Sequence, residues 1–381
     1  MKIAIPKERR ADEARVAASP DTVKKYVGMG FEVVVESGAG EGASLADASF
    51  VEAGATIAAD AAATLGDADI VLKVARPLTA AEGLDEVALM KSGAILISHL
   101  AALQNREQAE SYAKAGVTAF ALEMLPRISR AQNMDILSSQ SNLAGYKSVL
   151  DAAAVYGRAF PMMMTAAGTV PPARVLVLGA GVAGLQAIAT AKRLGAVVFA
   201  FDVRPAVKEQ VESLGGKFVE VEAPVESAET SGGYAKEMSD DYKRRQADRI
   251  AEVLKKTDIA ISTALIPGKP APVLITEEMV KGMRKGSVIV DLAVEAGGNC
   301  PLSEFGKVVE KHGVTLVGHA NVPSRLAADA SLLFAKNLLN FLTLSYDKEA
   351  KGLKINWDDE IIKGTALTRD GQVIHPALQA G

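Results

Sequence analysis

The run from Val175 to Asp202, VLVLGAGVAGLQAIATAKRLGAVVFAFD, leaves this chain few folds to choose from. Apolar residues lead into Gly179, Gly181 and Gly184, an apolar-periodic segment follows to Leu194, and Gly195 separates it from a second apolar run that closes on Asp202, 23 residues after the first glycine. That pattern is strand, glycine turn, helix and strand. The first glycine permits the tight turn, the second lets a pyrophosphate approach the backbone, and the third lets helix and strand pack closely. Free N–H groups at the positive end of the helix then face the phosphates. A lone G-x-G-x-x-G is a weak signal, whereas one with both strands, the helix and the acid in place points to dinucleotide binding. An acid at the position of Asp202 accepts ribose hydroxyls and repels a 2′-phosphate, which favours NAD(H) over NADP(H). Arg204, two residues on, is the counterweight, since an arginine there can accommodate a phosphate.

Length and charge narrow the setting. A chain of 381 residues suggests two domains at ~150 residues each. The net charge of −4, with both signs interspersed, gives no basic face for nucleic acid. Cys300 is the single cysteine, so no internal disulfide is possible. MKIAIPKERR reads as a first strand rather than a signal peptide, and no apolar run approaches the ~18 residues that span a bilayer. Metal-ligand spacings and a nucleophile elbow are both lacking in the sequence.

The amino-terminal third alternates strand candidates (2–6, 31–36, 68–74, 93–100 and 117–123) with helical segments near 20–29, 46–53, 79–91 and 105–115. A second series of strands is expected at 174–178, 197–201, 217–221, 258–263, 287–292 and 314–317, with a connecting helix from Ser139 to Tyr156. Such alternation predicts parallel sheets covered by helices. The expected fold is therefore α/β, with two Rossmann-like doubly wound parallel-sheet domains separated by a cleft. The amphipathic segment 324–342 is expected to return to the first domain, giving a discontinuous domain of 1–138 plus 322–381 and a nucleotide-binding domain of 139–321. Two long polar connections, 125–139 and 222–246, lack a strand pattern, and loops of that length in compact domains tend to be functional or disordered.

Candidates for acid–base work are few. Arg15, Lys73 and His99, each near a strand end, could together line the floor of an interdomain cleft and hold a small carboxylate. Hydride transfer asks little of side chains beyond holding the reacting carbons ~3–3.5 Å apart in excluded water. A loop carrying Arg127, Gln132, Asp135 and Ser138 suits that task, arginine and glutamine binding oxygens and Asp and Ser taking the carboxamide NH₂. By composition alone the same loop reads as a charged linker with helix caps.

KIAIPKERRADEARVAASP, VLKVARP, the glycine fingerprint, IPGKPAPVLI, VDLAVEAGGN and GHANVPSRLAADAS together resemble the alanine dehydrogenase and proton-translocating transhydrogenase superfamily over nearly the whole chain. RISRAQNMDILSSQSNLAGY (127–146) and SGGYAKEM (231–238) are similar to the transhydrogenase branch, in its soluble NAD(H)-binding α subunit. The resemblance implies that Arg127, Gln132, Asp135 and Ser138 hold the nicotinamide end and that Gly179, Gly181, Val182 and Gly184 form the pyrophosphate turn. It further implies that Asp202, Val203 and Arg204 lie on the adenosine side, and that Thr263, Ala264, Leu265 and Ile266 form a loop beside the nicotinamide. Tyr234 and Met238 match a mobile loop that closes over the nucleotide. It also implies a homodimer whose NADH passes hydride directly to NADP⁺ on a separate NADP(H)-binding β subunit, NADP(H) being bound only there. Membrane-embedded partners would drive that step by proton flow and hold the chain peripherally at the cytoplasmic side of the membrane.

The rival within the superfamily is an NAD-dependent alanine dehydrogenase. Arg15, Lys73 and His99 align with its pyruvate-binding and acid–base residues and Asp291 with an acid in its cleft. Ala75 and Arg76, however, stand where that enzyme typically has Lys-Glu.

Overall fold

The computed structural model describes residues 1–221, 239–266 and 268–379, which form two compact units: 1–140 with 324–381, and 141–323. In the first unit six strands, β1 (Lys2–Ile5), β2 (Glu32–Glu36), β3 (Thr56–Ala58), β4 (Ile70–Ala75), β5 (Ile95–His99) and β6 (Thr118–Ala121), form one sheet in the order β3-β2-β1-β4-β5-β6. Every neighbouring pair is parallel. Helices α1 (Pro20–Gly28), α2 (Asp47–Glu52), α3 (Ala61–Leu65) and α4 (Arg106–Lys114) make the connections. Ser19 starts α1 with a capping box to Thr22, and Asp60 caps α3 through the Ala63 N–H, so both helices begin on residues that satisfy their first donors.

Parallel sheets need cover on both faces, because side chains alternate along each strand. Ile3, Ile5, Val33, Val35, Ile70 and Leu72 look one way, and Ala4, Val71, Leu96 and Ala119 the other. A long helix, numbered after those of the second unit, covers the first of these faces. The second unit opens with α5 (Ile136–Val155), which enters it at Ser141, and an exposed hairpin of β7 (Met163–Thr165) and β8 (Gly168–Val170). Its sheet contains β9 (Arg174–Leu178), β10 (Val197–Phe201), β11 (Lys217–Phe218), β12 (Ile259–Ser262), β13 (Val288–Asp291), β14 (Lys307–Lys311) and β15 (Val314–Gly318). The order is β11-β10-β9-β12-β13-β15-β14, parallel except for the antiparallel edge pair β14–β15. Helices α6 (Val182–Arg193), α7 (Lys208–Ser213), α8 (Asp240–Leu254) and α9 (Glu277–Lys281) accompany these strands. One face packs Val175, Val177, Ile259 and Ile261 against Val149 of α5 and Ile188 of α6, while the other packs Leu176, Ala260 and Ile289 against Ile250 and Leu254 of α8. The covering helix of the first unit is α10 (Ala327–Leu344), whose Phe334, Leu338, Phe341 and Leu342 join the core containing Ile3 and Val35.

Several expected elements differ. Residues 79–91 are not a helix but a short 3₁₀ turn, Ala80–Glu82, followed by Gly83 at φ +101° and further turns. Glu86 in this segment is buried with its carboxylate on the Leu78 N–H. Strands β3 and β14 and the β7–β8 hairpin are additions to the expected set; β14 is a polar edge strand of sequence KVVEK with no buried residue to announce it. The stretch 239–246, expected within a long loop, begins α8, with Ser239 as its cap.

Candidate functional site

In an open doubly wound sheet, ligands bind beyond the carboxyl ends of the strands where the strand order reverses. In the second unit that point lies between β9 and β12, and the glycine fingerprint stands there. Gly179 turns the chain at φ +97°, and a Cβ on it would stand 2.6 Å from the Thr263 hydroxyl oxygen. At Gly184 a Cβ would stand 1.8 Å from the Gly179 carbonyl oxygen, so only glycine lets α6 start this close to β9. Gly181 is different. It precedes α6 with no side-chain cap, and a Cβ on it would meet nothing within 4 Å. The first two roles are internal packing, whereas the third keeps open the space a pyrophosphate needs, and this is the cradle that fits a dinucleotide.

Asp202 follows β10 with its side chain 5% exposed. Its Oδ2 accepts the Ala180 N–H at 2.7 Å, tying the acid directly to the glycine turn. Arg204 occupies the rest: its backbone N–H and Nε–H donate to Oδ1 at 2.9 Å each, and an Nη–H to Oδ2 at 2.8 Å. These four donors take up the about four lone-pair positions of a carboxylate. Val203 between them is half-buried against the core. Val182 opens α6, 42% exposed. Thr263 leads the loop after β12, its hydroxyl donating to the Gly179 carbonyl at 3.1 Å, and Leu265 two residues on is half-exposed. Thr263 and Ala264 therefore lie directly beside the glycine turn, and Leu265 and Ile266 follow them in the same loop. Tyr234 and Met238 lie outside the described residues.

Two residues that the sequence does not single out shape this place. Gly145 on α5 lets that helix meet the first turn of α6, since a Cβ there would be 2.1 Å from the Ala183 carbonyl oxygen. Asn299, fully buried, bonds both the N–H and the carbonyl of Ala264. A glycine inside an otherwise unbroken helical pattern, and an asparagine after Gly297–Gly298, are the signals that could have found them. Asp291 is 1% exposed and accepts from Ser262 Oγ and the N–H groups of Ala293, Asn299 and Cys300. A carboxylate so engaged serves its own turn.

The other candidates belong to the first unit. Arg127 and Gln132 are exposed, Gln132 on the 3₁₀ helix Ser129–Met134. That helix is anchored by buried Ala131 and Met134, and the Asn133 carbonyl accepts from the Asn337 and Asn340 side chains of α10 at 2.9 and 2.8 Å. Asp135 and Ser138 come together, Asp135 accepting both the Ser138 N–H, at 3.0 Å, and its hydroxyl. This is the first turn of α5, so the pair caps a helix as composition alone suggests.

Arg15, Lys73 and His99 do not form an open carboxylate site within the unit. Arg15 forks onto Glu13 at 2.7 and 2.6 Å and donates to Gln140 at 2.8 Å. Lys73 is 1% exposed, its Nζ 3.2 Å from Glu8 and 3.1 Å from Glu86. Burial pushes the Glu8 carboxyl above the ordinary range against the lowering pull of Lys73. His99 is half-buried at the end of β5. No helix among the described residues is long and apolar enough to cross a membrane, and no group of three or more potential metal ligands occurs among them.

Residues 4–144 match the family described as alanine dehydrogenase/PNT, N-terminal domain, and residues 148–376 match its C-terminal domain. An NAD(P) transhydrogenase subunit alpha polypeptide of Rhodospirillum rubrum is 68% identical over 379 residues, 99% of each chain. An alanine dehydrogenase of Halomonas elongata is 30% identical over 385 residues, covering 99% of this chain and 96% of that one. Among solved structures, a transhydrogenase from Sinorhizobium meliloti superposes with a TM-score of 0.88 at 52% identity, covering 98% of this chain and 100% of that one.

Proposed function

The chain belongs to the alanine dehydrogenase/PNT family, on the side of the NAD(P) transhydrogenase α subunits, and from that premise we propose that it is the NAD(H)-binding component of a proton-translocating transhydrogenase. The carrying observation is the cradle at the β9–β12 switch point, where Gly181 keeps space open and Asp202 is fixed to the same turn through Ala180. When bound, the dinucleotide supplies the hydride donor or acceptor. The chain's own residues bind and orient it. Backbone N–H groups at Gly181, Val182 and the start of α6 face the phosphates, and Asp202, Val203 and Arg204 border the adenosine ribose. Thr263 to Ile266 border the nicotinamide end, and Arg127, Gln132, Asp135 and Ser138 hold its amide and ribose, with Tyr234 and Met238 closing over the nucleotide.

Hydride then passes between NADH on this chain and NADP⁺ on a separate β subunit, NADP(H) binding only there. The chain acts as a homodimer, held at the cytoplasmic face of the membrane by membrane-embedded partners whose proton flow drives the exchange. Lys73 and Arg15, engaged by Glu8, Glu86 and Glu13, speak against an alanine dehydrogenase, which must leave cations available to a 2-oxo acid. The purified chain is expected to bind NADH far more tightly than NADPH. It should transfer hydride to an NADP⁺ analogue only when its NADP(H)-binding partner is added. Equal affinity for the two nucleotides sinks the role given to Asp202, and rapid NADH oxidation by pyruvate plus ammonium establishes the dehydrogenase instead.

A further inference from the structure

The loop after β12 holds itself only in part, through the Lys269 N–H on the Ile266 carbonyl at 3.1 Å. Between Ala264 and Ile275 the chain carries Pro267, Pro270 and Pro272, none of which has an N–H to offer. Ala271 bonds the Ala296 carbonyl at 2.8 Å in its middle, and one residue outside it, Asn299, holds both of its ends. The Asn299 side chain donates to the Ala264 carbonyl at 2.9 Å and the Pro272 carbonyl at 2.8 Å, and accepts the Ala264 N–H at 3.1 Å. Its own backbone carbonyl accepts the N–H groups of Leu274 and Ile275 at 2.9 and 3.0 Å. Asn299 is fully buried, and both amide hydrogens are used. It is itself held by Asp291, whose carboxylate accepts the N–H groups of Asn299 and Cys300.

The amide thus pairs with Ala264 as a neighbouring strand would, from behind, while Leu265 faces solvent half-exposed. On the other side of the same peptide stands the glycine turn: a Cβ on Gly179 would be 3.4 Å from the Ala264 nitrogen. We infer that Asn299 is a positioning residue for hydride transfer, fixing the Thr263–Ile266 loop against the glycine turn without itself meeting the dinucleotide. No other common side chain fills the role. Aspartate would set an anionic oxygen against the Ala264 and Pro272 carbonyls, glutamine is a methylene too long, and serine lacks the second donor. The proposal rests on the reading that this loop borders the nicotinamide end.

The test uses the full chain reconstituted with its NADP(H)-binding and membrane partners, with transfer from NADH to an NADP⁺ analogue as readout. Asn299→Ala is expected to lower the rate at saturating NADH by about tenfold to a hundredfold, the usual result of a sub-ångström to ångström misplacement of reacting groups, with little change in NADH affinity. Asn299→Asp should be impaired most at alkaline pH and recover relative to wild type as pH falls, because the protonated acid again donates to a carbonyl. Thr257→Val removes an equally buried hydroxyl at the opposite end of β12 and should leave transfer unchanged, which separates positioning from general destabilisation. A wild-type rate for Asn299→Ala at saturating NADH, or a change in NADH affinity alone, overturns the inference. So does a pH-independent ratio for Asn299→Asp, which decides the matter if the alanine variant does not fold. A wild-type assembly that transfers no hydride overturns the functional reading and this inference with it, whereas an active wild type beside an unimpaired variant overturns this inference alone.

Discussion

Both units wind their first five sheet strands in the same order about a central reversal, and they differ in what stands at that reversal. In the first unit it lies between β1 and β4, and it is closed by charge. Glu8, just past β1, reaches Lys73 on β4 and also accepts the Val74 N–H at 2.6 Å, while Glu86 joins from the segment beyond. In the second unit the reversal lies between β9 and β12, and it is built from residues without side chains, with Gly181 facing open space. A doubly wound sheet offers the crevice, and the residues at the first strand's carboxyl end decide whether a ligand or the protein fills it. One fold, used twice, thus yields one open glycine turn and one internally satisfied ion cluster.

Removing the charge that closes the first unit should have the largest effect. Lys73→Met leaves Glu8 and Glu86 buried without their shared cation, and breaking a buried pair in this way costs about 3–5 kcal/mol. A denaturation midpoint measured at neutral pH should show it, and adding Glu8→Gln and Glu86→Gln should restore much of the loss. A loss below about 1 kcal/mol, the size of a surface pair, would mean that the cluster does not close the crevice. In the second unit the glycines should separate into two kinds. Gly184→Ala forces backbone apart and should cost about 1–3 kcal/mol of stability as well as NADH affinity. Gly181→Ala should leave the melting temperature unchanged but weaken NADH binding by about 1.5–3 kcal/mol, the worth of hydrogen bonds to a charged group that can no longer close. Equal effects of the two substitutions on stability would break the distinction between packing glycine and ligand glycine.

The cradle of the second unit is legible in the sequence because its logic is local. Three glycines and an acid within 24 residues dictate their own turn, and the Asp202 to Ala180 bond joins the two ends of that stretch. The closed crevice is not legible. Lys73 finds Glu8 across 65 residues and Glu86 across 13, and nothing in the composition of VLKVARP distinguishes a lysine that lines a cleft from one sealed beneath it. Glu86 is buried in the same cluster, and the helix expected at 79–91 is replaced by a short 3₁₀ turn. Asp135 and Ser138 admit two readings, and the cap they form satisfies the composition-based one. Arg204 suggests a phosphate ligand in the sequence, although its guanidinium spends itself on Asp202 two residues back.

A surface counterpart of the buried cluster sharpens the comparison by being small. Glu82 sits between Arg76 and Arg10, each at 2.8 Å, and its carboxylate also accepts the Thr79 N–H at 3.0 Å. The Arg76 hydrogen bonds above all hold its pKa down to about 2. A carboxyl depressed from its unfolded value contributes stability that is present above the ordinary value of 4.5 and is lost as pH falls through that range towards about 2. Glu82→Gln should therefore destabilise the protein slightly at neutral pH, by about 0.5–1 kcal/mol as an exposed ion pair does, and should make stability less steep on acidification below pH 4.5. Raised salt should shrink the difference between wild type and variant, because exposed charges are screened over a Debye length of about 10 Å at 0.1 M. The Lys73 substitution, sealed from solvent, should keep its full cost under the same conditions. A salt-sensitive Lys73 effect, or a salt-insensitive Glu82 effect, would reverse the assignment of which cluster is structural core and which is surface.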